Sequence, residues 1–194
     1  MTVLNTNRTP IERVLGVDLV YYTHRYCSFV IVQYKMFRNE NGKWTYRPDD
    51  QFEEELRRMR VLPAAEWDGS AASFRLSSDP RYLKLCWPQS DEPTATELVK
   101  GRYLPVEFWE GAEKGLFRGK RDGLVIHDES LDRSFTNSGF IDLVAAGWIG
   151  TRGAPTETIE EVILASLDAN RSVMLAVHTP SGRAEDGEER STSG

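Results

Sequence analysis

Gly16-Val17-Asp18-Leu19-Val20-Tyr21-Tyr22, a polar break at residues 23–27, and then Ser28-Phe29-Val30-Ile31-Val32-Gln33-Tyr34-Lys35-Met36 form the stretch from which the fold is read. Both runs are rich in β-branched and aromatic residues, which suit a pleated, half-buried surface. The short break between them predicts an antiparallel hairpin with a loop of about four or five residues. Alternation sets Phe29, Ile31, Gln33 and Lys35 on one face and Val30, Val32 and Tyr34 on the other. A hairpin centred between Arg25 and Tyr26 sets Asp18 opposite Gln33 on the same face. A carboxylate, a carboxamide oxygen and an ammonium then converge at the end of an apolar strand. The two oxygens suit Mg²⁺, a hard cation, and the ammonium suits a developing phosphorane-like charge or a water to be positioned.

Outward from the hairpin, Thr9-Pro10-Ile11-Glu12 reads as a capping box opening a short helix before Gly16. On the other side, Asn39-Glu40-Asn41-Gly42 is a turn and Trp44-Thr45-Tyr46 a short strand. Pro48-Asp49-Asp50 then opens a helix in which Phe52, Leu56 and Met59 recur at helical spacing and Pro63 sets the limit. Its early acids, Glu53, Glu54 and Glu55, and its late bases, Arg57, Arg58 and Arg60, complement the helix dipole. The acids read most simply as a solvated first turn. A helix after a buried strand points to an α/β layer.

Further along, residues 73–76 and Tyr82 to Trp87 alternate as strands around Asp79-Pro80. Gln89 to Glu97 reads as a polar loop, Pro105 to Lys114 as a short helix and Leu124 to His127 as a short strand. Asn137 is expected to cap a helix carrying Phe140, Ile141, Val144 and Ala145, ended by Gly147. Pro155-Thr156 opens an amphipathic helix with Ile159, Val162, Ile163 and Leu167 on one face, and Ser172 to His178 is the last strand. Residues 180–194 hold no large apolar side chain and are expected to be a disordered tail. The expected organisation is a single α/β domain over residues 1–179, with a central mixed sheet flanked by helices.

The 194 residues carry a net charge of −6, with +2 over residues 1–60 and −8 over the rest. Such a balance gives no strong general attraction to nucleic acid, and only the first third offers a locally basic face. Two cysteines, Cys27 and Cys86, are too few for a disulfide framework or a Cys-based zinc site. No apolar run approaches the roughly 18 residues of a membrane span, and residues 1–9 lack the apolar stretch of a secretory signal. A cytoplasmic protein without membrane contact is the expectation. His127 and His178 have no zinc-type spacing, no G-x-S-x-G surrounds Ser134 or Ser138, and no glycine-rich phosphate loop occurs. His24 reads as an exposed loop histidine. Tyr21, Tyr22, Tyr34 and Trp44 read as core packing, and the basic loop from Lys114 to Arg121 as a solvated or ligand-contacting surface.

Gly16-Val17-Asp18-Leu19 followed by Phe29 to Lys35 resembles the core of the restriction-endonuclease-like nucleases, the PD-(D/E)XK superfamily, in the Mrr-like variant that ends in Gln-x-Lys. In that family the Asp begins one strand, Gln-x-Lys ends the next and a helix follows, places filled here by Asp18, by Gln33 and Lys35, and by Pro48 to Arg60. The resemblance covers residues 10–62 and leaves 63–179 without a counterpart. It implies an α/β/α fold, Mg²⁺ held by Asp18 and Gln33, Lys35 as transition-state stabiliser, and phosphodiester hydrolysis of DNA in defence or repair. The family has a full helix and a further strand before the Asp, whereas 17 residues precede Asp18. The expectation is a core that lacks its first helix and strand, by truncation, a misplaced start or replacement, with Glu12 as the sole acid of that segment. Gln33 is a weaker metal ligand than a carboxylate, so the alternative is a non-cutting scaffold that binds DNA or a protein, or forms a homodimer. A third reading is an accessory protein that meets a protein partner through its aromatic and acidic surfaces.

Overall fold

The computed structural model describes residues 1–6, 16–60, 67–88, 99–119, 123–152 and 173–174. The capping box with Glu12, the loop at 89–97, the helix opened by Pro155, the strand residues 175–178 and the tail lie outside the described residues.

The hairpin forms as the alternation requires. Strand β2 (Leu19–Thr23) pairs antiparallel with β3 (Ser28–Met36), with Leu19 opposite Val32 and Thr23 opposite Ser28. A short 3₁₀ turn, His24–Tyr26, and Cys27 in a left-handed conformation close the loop. Ahead of them lies a strand that the sequence reading does not assign, β1 (Thr2–Asn5), antiparallel to β2. A strand therefore does precede Asp18. Its four residues are too few to show a period, and their apolar pair, Val3 and Leu4, becomes visible as buried only through the sheet.

After β3 the chain turns into a second, small sheet. Strands β4 (Arg38–Glu40) and β5 (Lys43–Tyr46) are joined through Asn41 and Gly42, both at positive φ. Two such residues make the turn whose twist matches the flanking strands, and Asn-Gly is its favoured pair. Helix α1 (Asp50–Met59) follows, with the Asp49 side chain accepting a hydrogen bond from the Phe52 N–H at 3.0 Å. Strand β6 (Arg81–Cys86) then returns parallel to β3.

Strand β7 (Gly101–Pro105) pairs antiparallel with β6 and leads directly into helix α2 (Val106–Ala112). The sequence reading has no strand at 101–105 and starts the helix at Pro105, which here is the last strand residue. Residues 73–76 are not a strand: Arg75 is buried and spends its guanidinium on the carbonyls of Ala72, Phe74, Tyr26 and Thr151. Strand β8 (Ile126–His127) joins β5, not the main sheet. Helix α3 (Asn137–Ala145) is capped by Thr136, whose hydroxyl accepts from Gly139, not by Asn137, which donates to the Val99 carbonyl. The two-residue β9 (Val173–Met174) lies beside β1, which completes the sheet order β7-β6-β3-β2-β1-β9.

Helices cover both faces. Phe52, Leu56 and Met59 of α1 and Val106 and Trp109 of α2 pack with Val20, Phe29, Ile31, Leu83 and Leu85. Phe140 and Val144 of α3 pack with Leu19, Tyr21, Val30, Val32, Tyr82 and Tyr103 on the other face. The fold is thus mixed α/β with a central mixed sheet, as expected. Among the described residues no helix is long and apolar enough to cross a membrane.

One core residue opposes this packing. Lys84 is fully buried on the α3 face, and its ammonium has no hydrogen-bond partner among the described residues. It sits 4.9 Å from the ring centre of Tyr34 and 4.7 Å from that of Tyr103, so two aromatic faces are its substitute for water. Burial lowers its pKa from 10.5 to about 8. The folded chain therefore releases this proton near pH 8, while the unfolded chain keeps it to about 10.5. Below pH 8 both hold it and the burial penalty is constant; between the two values the unfolded chain binds more protons and the penalty fades. Lys84→Met should raise stability at pH 7 by about 1–3 kcal/mol. Urea unfolding of both proteins from pH 7 to 10.5 should show their difference shrinking as pH rises.

Candidate active site

Asp18 stands one residue before β2, half-buried, just past the last ladder pair, Leu19 opposite Val32. Its N–H donates to the Val32 carbonyl at 3.0 Å, and its carboxylate oxygen Oδ2 accepts from the Tyr34 N–H at 2.7 Å. The aspartate thus continues the β2–β3 ladder past the end of the strand with its own side chain. Gly16, two residues earlier, has φ +64°, and a Cβ there would lie 3.1 Å from the Glu55 carbonyl oxygen. Glycine is needed both for the turn into β2 and for the close approach of α1.

Gln33 is buried on the face that carries Ile31 and Phe29. Its Nε2 makes a long contact of 3.4 Å to the Tyr34 carbonyl, and its Oε1 is buried with no hydrogen-bond partner among the described residues. An unsatisfied buried carboxamide oxygen is costly, and a cation or a water is what such an oxygen accepts.

Lys35 follows two residues on and points the same way, onto α1. Its ammonium forms an ion pair with the Glu55 carboxylate and lies 5.4 Å from the Phe52 ring centre. Both charged side chains are largely buried, at 13% and 8% exposure. Gln51 donates to the other oxygen of Glu55 at 3.1 Å. Glu55 is the residue that sequence reasoning misplaces among the solvated acids of the first turn. The available signal was its spacing: Phe52, Glu55, Leu56 and Met59 are the buried positions of α1, so Glu55 lies on the apolar stripe, three residues after Phe52 and four before Met59. Glu53 and Glu54 are exposed as expected.

Asp18, Gln33 and Lys35 lie at one end of the β2–β3 pair: the Asp18 carboxylate is held at the Tyr34 N–H, while Lys35 turns onto α1 to meet Glu55. Their donor set is hard oxygen beside one ammonium, which fits Mg²⁺ rather than a soft metal. Among the described residues no three His, Cys, Asp or Glu side chains gather as a metal-binding group, so a carboxamide or backbone oxygen would have to share in the coordination.

The other sequence candidates lie elsewhere. His24, in the hairpin loop, is at the opposite end of the strands, where Nε2 meets the Thr2 hydroxyl at 2.8 Å. Arg57 and Arg58 pair with Glu54, and Arg60 with Glu110. His127 contacts the Thr45 hydroxyl at 3.1 Å and Ser134 donates to the Leu131 carbonyl. Tyr21 is core, edge-on to Phe140, as expected. Among the described residues the exposed large aromatic side chains are instead Trp67, Phe74 and Trp148, meeting edge to face. No family model, curated protein or solved structure matches the chain.

The buried pair has a measurable signature. Glu55→Leu leaves Lys35 without its carboxylate in a dry setting and should cost about 3 kcal/mol, whereas adding Lys35→Met to it should recover most of that loss. Chemical denaturation of the two singles and the double closes the cycle.

Proposed function

We propose that this chain is a divalent-metal-dependent phosphodiester hydrolase acting on DNA, with its centre at the open end of the β2–β3 hairpin. The observation that carries the reading is the gathering of Asp18, Gln33 and Lys35 at one end of the β2–β3 pair, with the Asp18 carboxylate bonded to the N–H of Tyr34, the residue between the other two. Supporting it is the element order that the resemblance to the PD-(D/E)XK nucleases implies: the Asp strand, the Gln-x-Lys strand, then a helix. The orphaned Gln33 Oε1 supports it too, because a hard cation satisfies that oxygen.

Asp18 and Gln33 would hold the Mg²⁺, which when bound supplies charge neutralisation at phosphate and a more acidic water. The chain's own contribution begins with Lys35. Hydrolysis forms a bond from water oxygen to phosphorus and breaks the bond to a sugar oxygen, which leaves with a proton. Negative charge builds on the non-bridging oxygens in between, and a fixed ammonium stabilises it at no cost of reorganisation. Glu55 is a positioning residue: it selects the Lys35 rotamer and gives the ammonium a counter-charge in a largely buried place.

The same ion pair favours one other reading. A lysine already neutralised by a carboxylate is also a brace between sheet and helix, as expected of a scaffold that binds without cutting. Cleavage of supercoiled plasmid and a linear duplex, with Mg²⁺ or Mn²⁺ and with EDTA, separates the two. The hydrolase should nick with metal and not with EDTA, and Lys35→Ala should cut at least 100-fold more slowly. No cutting by the wild type establishes the scaffold reading, and equal cutting by both proteins removes Lys35 from the mechanism.

A further inference from the structure

Beside Lys35 lies a cavity of about 300 Å³ between the end of β3, the β4–β5 hairpin and the start of α1. Lys35, Arg38, Glu40, Tyr46, Arg47 and Asp49 are among its lining residues. Most of that charge is already spent. Arg47 holds Glu40 through three hydrogen bonds of 2.9 to 3.2 Å, Asp49 caps α1, and Lys35 pairs with Glu55. Two groups are left over. Arg38 is exposed and makes no ion pair among the described residues. Tyr46 is 7% exposed, and its buried hydroxyl has no hydrogen-bond partner among the described residues.

Arg38 feels the charge of Glu40, but that carboxylate is already bonded to Arg47; an exposed guanidinium with no ion pair and a buried hydroxyl without a partner, both on residues that line one cavity, suit a ligand that is anionic and also accepts or donates a hydrogen bond. We infer that this cavity is a nucleotide subsite, holding the phosphodiester next to the one that is cut, with Arg38 on the phosphate and the Tyr46 hydroxyl on a phosphate or sugar oxygen. The inference rests on the hydrolase reading for its choice of ligand, since Lys35 is shared between the cavity and the proposed centre. It also gives the β4–β5 hairpin a role: placed between the Lys35 strand and α1, it forms the wall that carries Arg38 and Tyr46. The pairing of Arg47 with Glu40 on that wall ties its two ends together.

Binding can be read apart from cutting. A fluorescein-labelled 20-nucleotide single strand and the matching duplex are titrated in EDTA with wild type, Arg38→Ala and Tyr46→Phe, followed by anisotropy over a range of salt. Both variants keep the packing of the hairpin, and thermal unfolding checks that they are folded. Arg38→Ala should weaken binding about tenfold and lower the slope of log affinity against log salt by about one phosphate's worth. Tyr46→Phe should weaken it by a few-fold with the slope unchanged. Unchanged affinity in both variants, from a wild type that binds and cleaves, overturns the subsite and leaves the hydrolase standing. Weakened binding in both variants, from a wild type that binds but does not cut, keeps the subsite on a non-cutting scaffold. A wild type that neither binds nor cuts overturns both.

Discussion

The Asp18 carboxylate accepting the Tyr34 N–H fixes how β2 and β3 meet at their open end. A strand's side chains alternate with a period of two, so a slip of one residue would exchange its faces. Phe29 and Ile31 would leave the face covered by α1, and Gln33 and Lys35 would turn away with them. The short loop at the far end sets the same register, with His24 bonded to Thr2 and the Tyr26 carbonyl to Arg75. The polar bond at the open end does two things: it holds the register of the sheet's centre, and it anchors the carboxylate that the proposed chemistry needs.

Much of this was legible because the hairpin obeys local rules. Its register follows from where a short loop must lie, and its faces follow from alternation. Helix α1 was legible from Asp49, Phe52, Leu56 and Met59, and the β4–β5 turn from Asn41-Gly42. What was not legible depends on contacts distant in sequence. Strand β7 exists because β6 offers it an edge, and five residues ending in proline carry no pattern of their own. Residues 73–76 alternate like a strand, but buried Arg75 spends its guanidinium on four carbonyls instead. The burial of Glu55 has the same origin. Its charge argues for solvent, its position argues for the core, and Lys35 on the facing strand decides between them.

The sheet handles two neighbouring lysines in opposite ways. Lys35 ends β3 on the α1 face and is met by a carboxylate. Lys84, opposite Tyr34 in the ladder, lies on the α3 face and is met only by aromatic rings. The first arrangement gives the ammonium a counter-charge in a dry place, while the second leaves it with ring faces alone.

The parallel pairing of β3 with β6 has a consequence for how the molecule comes together. The hairpin β2–β3 closes through four residues and can form early, but β6 joins β3 only after the chain has passed through the small sheet and α1. Closing so long a crossover is entropically slow compared with closing a turn. Lys35 thus comes with the local, fast step, whereas Glu55 lies on the crossover itself. A chain caught between the two steps would display the lysine unneutralised and the helix undocked. The completed ion pair therefore reports that the crossover helix has docked on the hairpin.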